Sequence, residues 1–275
     1  MPFTGSHPAA VLPLMRWTRG RVALVPAALV IGSMAPDLPY YMPSPFGSGT
    51  THGLVTGVLG ADLALGFVVL AVWEALLAPA GVLLAPAAVR RRLPADAGSG
   101  LRRFVRRPRA LLMTLVSLAV GAATHVVWDA FTHDGLWGAE HVGWLAAQHG
   151  RYTGAQWAQV GCSALGLVVI SVSLLRWWLR TPPRTAEPVA ARGRRLPGLR
   201  LRAAAAAVVL GAAAAGALHD GVVALVNGAG RHSLTWHVLT GGGSAGAAAA
   251  LLVAVLTLVV ATRPGPVPAR TRAHR

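Results

Sequence analysis

Five long apolar runs dominate the pattern of hydrophobic and polar positions along the chain. They cover about residues 54–78, 110–128, 157–175, 203–226 and 243–262. A helix needs about 20 mostly apolar residues to cross the ~30 Å hydrocarbon core of a bilayer, so each run predicts a transmembrane helix. A shorter apolar run, 22–35, contains Pro26, and another short apolar piece, Pro8 to Met15, precedes it. The pattern predicts an all-α integral membrane protein with about six transmembrane helices plus a short N-terminal helical segment.

The composition also favours a membrane protein over a soluble one. Hydrophobic residues make up 54% of the 275 residues, and charged residues make up only 12%. An ordinary soluble domain carries about 25% charged residues, roughly twice that share. Such a chain stays dispersed only if most of its surface contacts lipid. We therefore expect a single polytopic membrane domain over residues 1–275, with the lipid bilayer as its main partner.

The arginines predict the orientation of the chain in the membrane. All 25 lysine-or-arginine positions are arginine, and 23 of them lie in four stretches, 16–21, 79–109, 176–202 and 263–275. Arginine-rich loops face the cytoplasm, and the five long runs alternate consistently with that rule. The pattern predicts a cytoplasmic C-terminus with a basic tail over 263–275. It also predicts that the arginine loops contact anionic lipid headgroups.

The net charge of +16 raises the alternative of a nucleic-acid partner. The arginines, however, lie in loops between apolar runs, and no soluble basic domain remains once those runs are removed. Membrane anchoring explains the charge better, so we expect no nucleic-acid partner.

Histidines and carboxylates collect on the side opposite the arginines. Nine of the ten histidines fall in or near the segments that the arginine pattern places outside. The sharpest pattern is His125-x3-Asp129-x3-His133, whose steps of four keep three side chains within a helical stripe about 80° wide. Imidazole nitrogens and a carboxylate on one helix face suit zinc, manganese or iron. The alternative is a polar helix end that hydrogen-bonds to neighbouring loops.

Two other short segments bring polar groups to the same side and depth. Asp37 follows Pro36 at the end of run 22–35, and His52 follows two threonines at the start of the next run. Asp37 could instead be a turn residue, and Thr50 or Thr51 a helix N-cap. Together with the histidine pattern, these residues favour a divalent-metal site at the outer face, with zinc as the favoured ion.

Four motifs carry a resemblance to a known family: MPFTGSHPAAVLPL, GSMAPDLPYY, TTHGLVTG and GAATHVVWDAFTH. Over most of its length the chain resembles the bacterial membrane-protein family named domain of unknown function 4184. The order of the motifs is also similar to that of bacterial inner-membrane proteins described as membrane-bound metal-dependent hydrolases, and more distantly to the soluble zinc-dependent phospholipase C group. The resemblance implies metal-ligand roles for His7, Asp37, His52, His125 and Asp129. His133 matches the first family's motif, whereas the second group often lacks a histidine there.

The N-terminal segment allows two arrangements. If His7 joins the other ligands, residues 8–21 descend and 22–35 return, which makes a short helical hairpin. If 8–21 instead lies on the inner surface, His7 is a bilayer away from the site. We favour the hairpin.

Asp62, about ten residues beyond His52, is an intramembrane carboxylate and thus a functional candidate. The ordinary explanations for a carboxyl at this depth are that it is protonated or that it hydrogen-bonds to a neighbouring helix.

Three functions are compatible with these features. The favoured one is a metal-dependent hydrolase with a His/Asp site at the extracytoplasmic face of the bacterial inner membrane. A lipid-like or phosphoester substrate suits that location, on distant analogy alone. A non-enzymatic membrane scaffold is the alternative. A transporter is less favoured, because only two carboxylates lie within the spans and no inverted repeat is evident.

Overall fold

A computed structural model describes residues 3–18, 23–46 and 48–262 of the chain. The basic tail predicted over 263–275 lies outside the described residues, and so do residues 19–22, which include the second half of the first arginine stretch. The described part is helical apart from one antiparallel pair of two-residue strands, β1 (Gln148–His149) and β2 (Tyr152–Thr153). This confirms the predicted all-α class.

The α-helices of the described residues are numbered in chain order. They are α1 (Pro8–Val11), α2 (Pro26–Gly32), α3 (Ser48–Thr51), α4 (Asp62–Val72), α5 (Ala78–Leu84), α6 (Ala87–Arg90), α7 (Arg102–Val105), α8 (Pro108–Thr132), α9 (Trp137–His141), α10 (Gly143–Ala146), α11 (Gly154–Arg180), α12 (Leu199–Val226) and α13 (Arg231–Thr262). Short 3-10 helices cover Thr4–Ser6, Leu12–Thr18, Ala35–Tyr40 and Val189–Ala191. Two π-helical turns, Gly57–Ala61 and Trp73–Leu77, flank α4.

Five helical segments among the described residues are long and apolar enough to cross a membrane. They are Gly57–Leu84, Pro108–His141, Gly154–Arg180, Leu199–Val226 and Ser233–Ala261. Each overlaps one of the five long runs, so those five predictions are confirmed by length and composition. The shorter run 22–35 contains only the seven residues of α2, about 10 Å of helix at 1.5 Å per residue. A sixth span is therefore not confirmed.

The chain divides into two compact units, residues 1–73 with 101–182, and residues 74–100 with 183–275. In the first unit, α2 runs parallel to the middle of α8. The Val25 N–H donates to Ser117 Oγ at 2.8 Å, and eight residues later the Ser33 carbonyl accepts from His125 Nδ1 at 2.8 Å. The two backbones approach closely where both helices carry glycine. A Cβ at Gly121 would collide with the Leu29 carbonyl oxygen and lie 2.7 Å from the Ser33 nitrogen.

Residues 7–18 and 23–33 form the two arms of an N-terminal hairpin in the first unit. The Leu24 N–H donates to the Trp17 carbonyl at 3.1 Å, which closes the hairpin, and both of its ends, His7 and Ser33, reach His125. In the second arm, the Val25–Ser117 contact lies about 12 Å along α8 from His125. Just before the hairpin, the Phe3 N–H donates to Ser163 Oγ of α11 at 2.9 Å. His7 lies beside His125, as the favoured hairpin arrangement requires, and the path of residues 8–21 relative to the membrane stays a prediction.

In the second unit, α12 and α13 pack antiparallel through small residues. A Cβ at Gly216 would collide with the Gly241 carbonyl oxygen, and one at Gly246 would lie 3.1 Å from the Ala213 side chain. Outside this helix pair, the guanidinium of the buried Arg90 donates to Glu187 Oε2 at 2.7 Å. The guanidinium also donates to Glu187 Oε1 at 3.3 Å and to the Ala85 carbonyl at 2.8 Å.

Candidate metal centre

Four predicted site residues converge in the first unit. Asp37 comes from the 3-10 helix Ala35–Tyr40, His52 follows α3 directly, and His125 and Asp129 lie one turn apart on α8. One ligand atom from each of these residues lies within 4.8 Å of the others. We call these residues the four-residue cluster. Three segments of the chain therefore meet at one point, as the motif positions predicted.

The spacing inside the four-residue cluster resembles the coordination shell of a small cation. His125 Nε2 lies 3.4 Å from Asp37 Oδ1 and 3.2 Å from Asp129 Oδ2. His52 Nε2 lies 3.5 Å from Asp37 Oδ1 and 3.7 Å from Asp129 Oδ2. Ligands about 2.0–2.2 Å from a tetrahedral zinc ion lie roughly 3.3–3.6 Å from one another. The four nitrogen–oxygen separations are therefore close to those of a tetrahedral N2O2 site.

A hydrogen bond fixes which nitrogen of His125 faces the cluster. A carbonyl oxygen only accepts, so the 2.8 Å contact with Ser33 puts a proton on His125 Nδ1. In the neutral ring, Nε2 then presents a lone pair to the two carboxylate oxygens of Asp37 and Asp129. Such an arrangement is repulsive without positive charge between the groups. Either a bound cation or a second proton on His125 must supply that charge.

Buried polar atoms without a hydrogen-bond partner mark the same point. Among the described residues they include Nε2 of His125, Oδ1 of Asp37 and both carboxylate oxygens of Asp129. Each of these three side chains is at most 1% exposed. Burying a polar atom without a hydrogen-bond partner costs free energy. Such atoms in a folded protein therefore indicate a bound ion or water as the partner. The donor set and its burial therefore fit a divalent metal ion.

Neighbouring groups hold the ligand candidates in place. The Thr4 hydroxyl donates to Asp37 Oδ2 at 2.5 Å and also contacts the Tyr41 hydroxyl at 3.0 Å. Thr51 Oγ1 lies 3.1 Å from His52 Nδ1. Burial alone would raise the pKa of the Asp37 carboxyl, but the adjacent His125 and His52 imidazoles and the hydrogen bond from Thr4 outweigh it and hold the pKa below its usual range. Such outer contacts orient ligands and tune their basicity.

The other two predicted ligands, His7 and His133, adjoin the four-residue cluster. The His7 ring stacks on His125 with centroids 3.7 Å apart, and its Nε2 lies 3.6 Å from Asp129 Oδ1. Burial, reinforced by the His125 ring, lowers the pKa of His7 to about 4. His133 Nδ1 lies 3.2 Å from the Asp129 carbonyl and 3.6 Å from Asp129 Oδ2. All six predicted residues are thus brought together, and metal ligation by His7 and His133 stays a prediction.

Access to the site is uneven. The side chains of His52 and His133 are each 22% exposed, whereas that of His125 is fully buried. A small molecule would approach past the two partly exposed imidazoles.

The groups near the site that the sequence did not predict are backbone carbonyls and hydroxyls. Ser33 acts through its carbonyl, and Thr4 lies 33 residues from the carboxylate that it contacts, so neither left a local sequence signal.

Comparison with known proteins gives the family and nothing finer. The family model described as "Domain of unknown function (DUF4184)" matches residues 1–258 of the chain, and the chain therefore belongs to that family. No curated protein and no solved structure matches the chain.

Proposed function

We propose that this member of the domain of unknown function 4184 family is a metal-dependent hydrolase of the membrane. The observation that carries the proposal is the convergence of two imidazole nitrogens and two carboxylate oxygens. Each nitrogen lies 3.2–3.7 Å from both oxygens. Their burial without hydrogen-bond partners supports a resident cation over an accidental polar contact. Zinc is the favoured ion, because nitrogen and carboxylate ligands in a tetrahedral set suit it.

Asp37, His52, His125 and Asp129 would hold the ion. A divalent ion in such a site supplies Lewis acidity and lowers the pKa of a water molecule to near neutrality. Two carboxylates balance the charge of a divalent ion, so the loaded site is neutral and tolerates burial. His133, half-buried beside Asp129, is positioned to accept a proton released during hydrolysis. His52, whose side chain is exposed to the same degree, would lie on the side of the site from which a substrate approaches.

We further propose that the site faces the outside of a bacterial inner membrane and acts on a lipid-like or phosphoester substrate. Along α8, Asp129 lies 20 residues from Arg109, about 30 Å of helix and one hydrocarbon thickness. The arginine-rich end and the cluster end of this helix are therefore a bilayer apart. Arginines on the cytoplasmic side would leave the cluster at the outer headgroup level, where ester and phosphoester groups of lipids lie.

Metal analysis of the purified protein tests the metal site. We expect about one equivalent of zinc or another divalent metal in the wild type, and its loss in His125→Ala and Asp129→Ala. His141→Ala is the matched control, because this exposed histidine ends α9 and its ring contacts Trp137, through the carbonyl at 2.8 Å and by stacking. Retention of metal by the His125 and Asp129 variants would contradict the proposed ligand set.

A hydrolysis assay tests the reaction. The wild type is expected to cleave an aryl phosphodiester or a phospholipid in mixed micelles, to lose activity with a chelator and to regain it with zinc.

A non-enzymatic scaffold is the second candidate, because one observation also favours it. A doubly protonated His125 between Asp37 and Asp129 would satisfy the same contacts without a metal. Folded wild-type protein that stays metal-free after incubation with zinc would establish the scaffold and refute the hydrolase.

A further inference from the structure

Asp62 is a fully buried carboxyl that the four-residue cluster does not use. It begins α4, within the membrane-spanning segment Gly57–Leu84, and is 1% exposed. Neither of its oxygens has a hydrogen-bond partner among the described residues. An ionised carboxylate left unpaired in such a place is strongly disfavoured, whereas a protonated carboxyl is neutral and can donate a hydrogen bond.

A π-helical turn sets the direction of Asp62. Residues Gly57–Ala61 form this turn, in which the Ala61 N–H donates to the Thr56 carbonyl five residues earlier at 3.1 Å. Relative to an α-helix, the extra residue rotates the following positions by about 100°. Isolated π-helical turns inside α-helices are frequent at functional sites. Here the turn directs Asp62 back toward Gly57.

The missing side chain of Gly57 leaves a small gap between two oxygens. A Cβ at Gly57 would lie 2.8 Å from Asp62 Oδ2 and would collide with the Thr51 carbonyl oxygen. Both oxygens therefore border the same space, which is too small for any side chain. With Asp62 ionised, both oxygens would be acceptors. Only a protonated Asp62 can donate a hydrogen bond across this gap to the carbonyl.

We propose that Asp62 is a protonated carboxyl that hydrogen-bonds across the Gly57 gap to the Thr51 carbonyl and thereby positions His52. Thr51 is fully buried, and its hydroxyl lies 3.1 Å from His52 Nδ1. Fixing the Thr51 backbone therefore fixes the imidazole whose Nε2 lies 3.5 Å from Asp37. The positioning role rests on the proposed metal site, whereas the protonation of Asp62 does not. Asp62 acts through Thr51 and is a positioning residue.

The charges of neighbouring residues also favour the neutral form of Asp62. Asp37 and Asp129 already provide the two negative charges that a divalent ion would balance. No described arginine forms an ion pair with Asp62. An ionised Asp62 would add a further negative charge near Asp37.

Infrared spectroscopy of the metal-free protein tests the protonation. The difference spectrum between wild type and Asp62→Asn is expected to show one protonated-carboxyl C=O band that is lost in the variant. Asparagine is the matched replacement, because its amide can donate to the Thr51 carbonyl as the acid does. Loss of an ionised-carboxylate band instead would overturn the proposal.

Metal affinity tests the positioning role. Asp62→Asn is expected to bind zinc within about threefold of wild type, and Asp62→Leu about tenfold or more weakly, the usual size of an outer-shell effect. Equal affinities for the two variants would overturn the positioning role. If the wild type binds no metal, the proposed function fails, while the infrared result still decides whether Asp62 is protonated.

Discussion

The imidazole rings of His7 and His125 stack with centroids 3.7 Å apart and planes inclined by 16°. This contact joins the start of the N-terminal hairpin to a fully buried ligand candidate. The stack limits how both rings can rotate. It also places His7 Nε2 3.6 Å from Asp129 Oδ1, at the edge of the four-residue cluster.

His7→Phe separates stacking from ligation. Phenylalanine keeps an aromatic ring against His125 but has no nitrogen. We expect zinc affinity to fall about tenfold in this variant while the thermal stability of the metal-free protein stays near that of wild type. Isothermal titration with zinc measures the first quantity, and a detergent-based melting assay the second. Wild-type affinity in His7→Phe would show that the ring contributes stacking alone.

Gly121→Ala tests the close contact between α2 and α8. A Cβ at this position would collide with the Leu29 carbonyl, and backbone cannot move aside as a side-chain tip can. We expect a loss of about 2 kcal/mol or more in stability, at the upper part of the range for overpacked cores, and a lower melting temperature. Gly161→Ala on α11 is the matched control, because nothing lies within 4 Å of its Cβ position. Equal melting temperatures for the two variants would contradict the packing.

Glu187→Gln tests the ion pair in the second unit. Arg90 is 4% exposed and donates to both Glu187 oxygens, at 2.7 and 3.3 Å, so the variant should lose about 1 kcal/mol at neutral pH. The hydrogen bond from Arg90 lowers the pKa of Glu187 in the folded state below its ordinary value of 4.5. The stabilisation that the ion pair gives the folded protein is therefore present above about pH 4.5 and is lost as the pH falls below that value.

Chemical denaturation of wild type and Glu187→Gln at several pH values measures this effect. The difference in unfolding free energy should shrink below pH 4.5. A difference that stays constant down to pH 3 would show that the pair is not its source.

Two introduced cysteines test the proposed orientation. Gln148 and Ser99 are both exposed, and they lie in the loops that the arginine pattern assigns to opposite sides. In a Cys162→Ala background, Gln148→Cys should react with a membrane-impermeant maleimide in intact cells. Ser99→Cys should react only after permeabilisation. The opposite pattern of labelling would reverse the orientation and place the four-residue cluster in the cytoplasm.

The sequence predicted the membrane-spanning helices and the ligand candidates better than it predicted how the segments pack against one another. Long apolar runs and the four-residue steps between His125 and Asp129 are local signals, since a helix brings such positions together by its own geometry. Asp37 and His52 were found through their motifs, and only tertiary packing brings them to α8. The packing of α2 against α8 had no local signal, because it depends on the backbone approach at Gly32 and Gly121.

The N-terminal hairpin also sets an order of assembly on the ribosome. His7 is made first, yet the ring on which it stacks lies 118 residues later, at His125. At about 5–20 residues per second, translation takes on the order of 6–24 s to cover that distance. During that interval the hairpin has neither Gly121 to pack against nor His125 to stack on. Completion of the site therefore waits for α8, so a nascent chain truncated before residue 121 would carry three of the predicted ligands and no site.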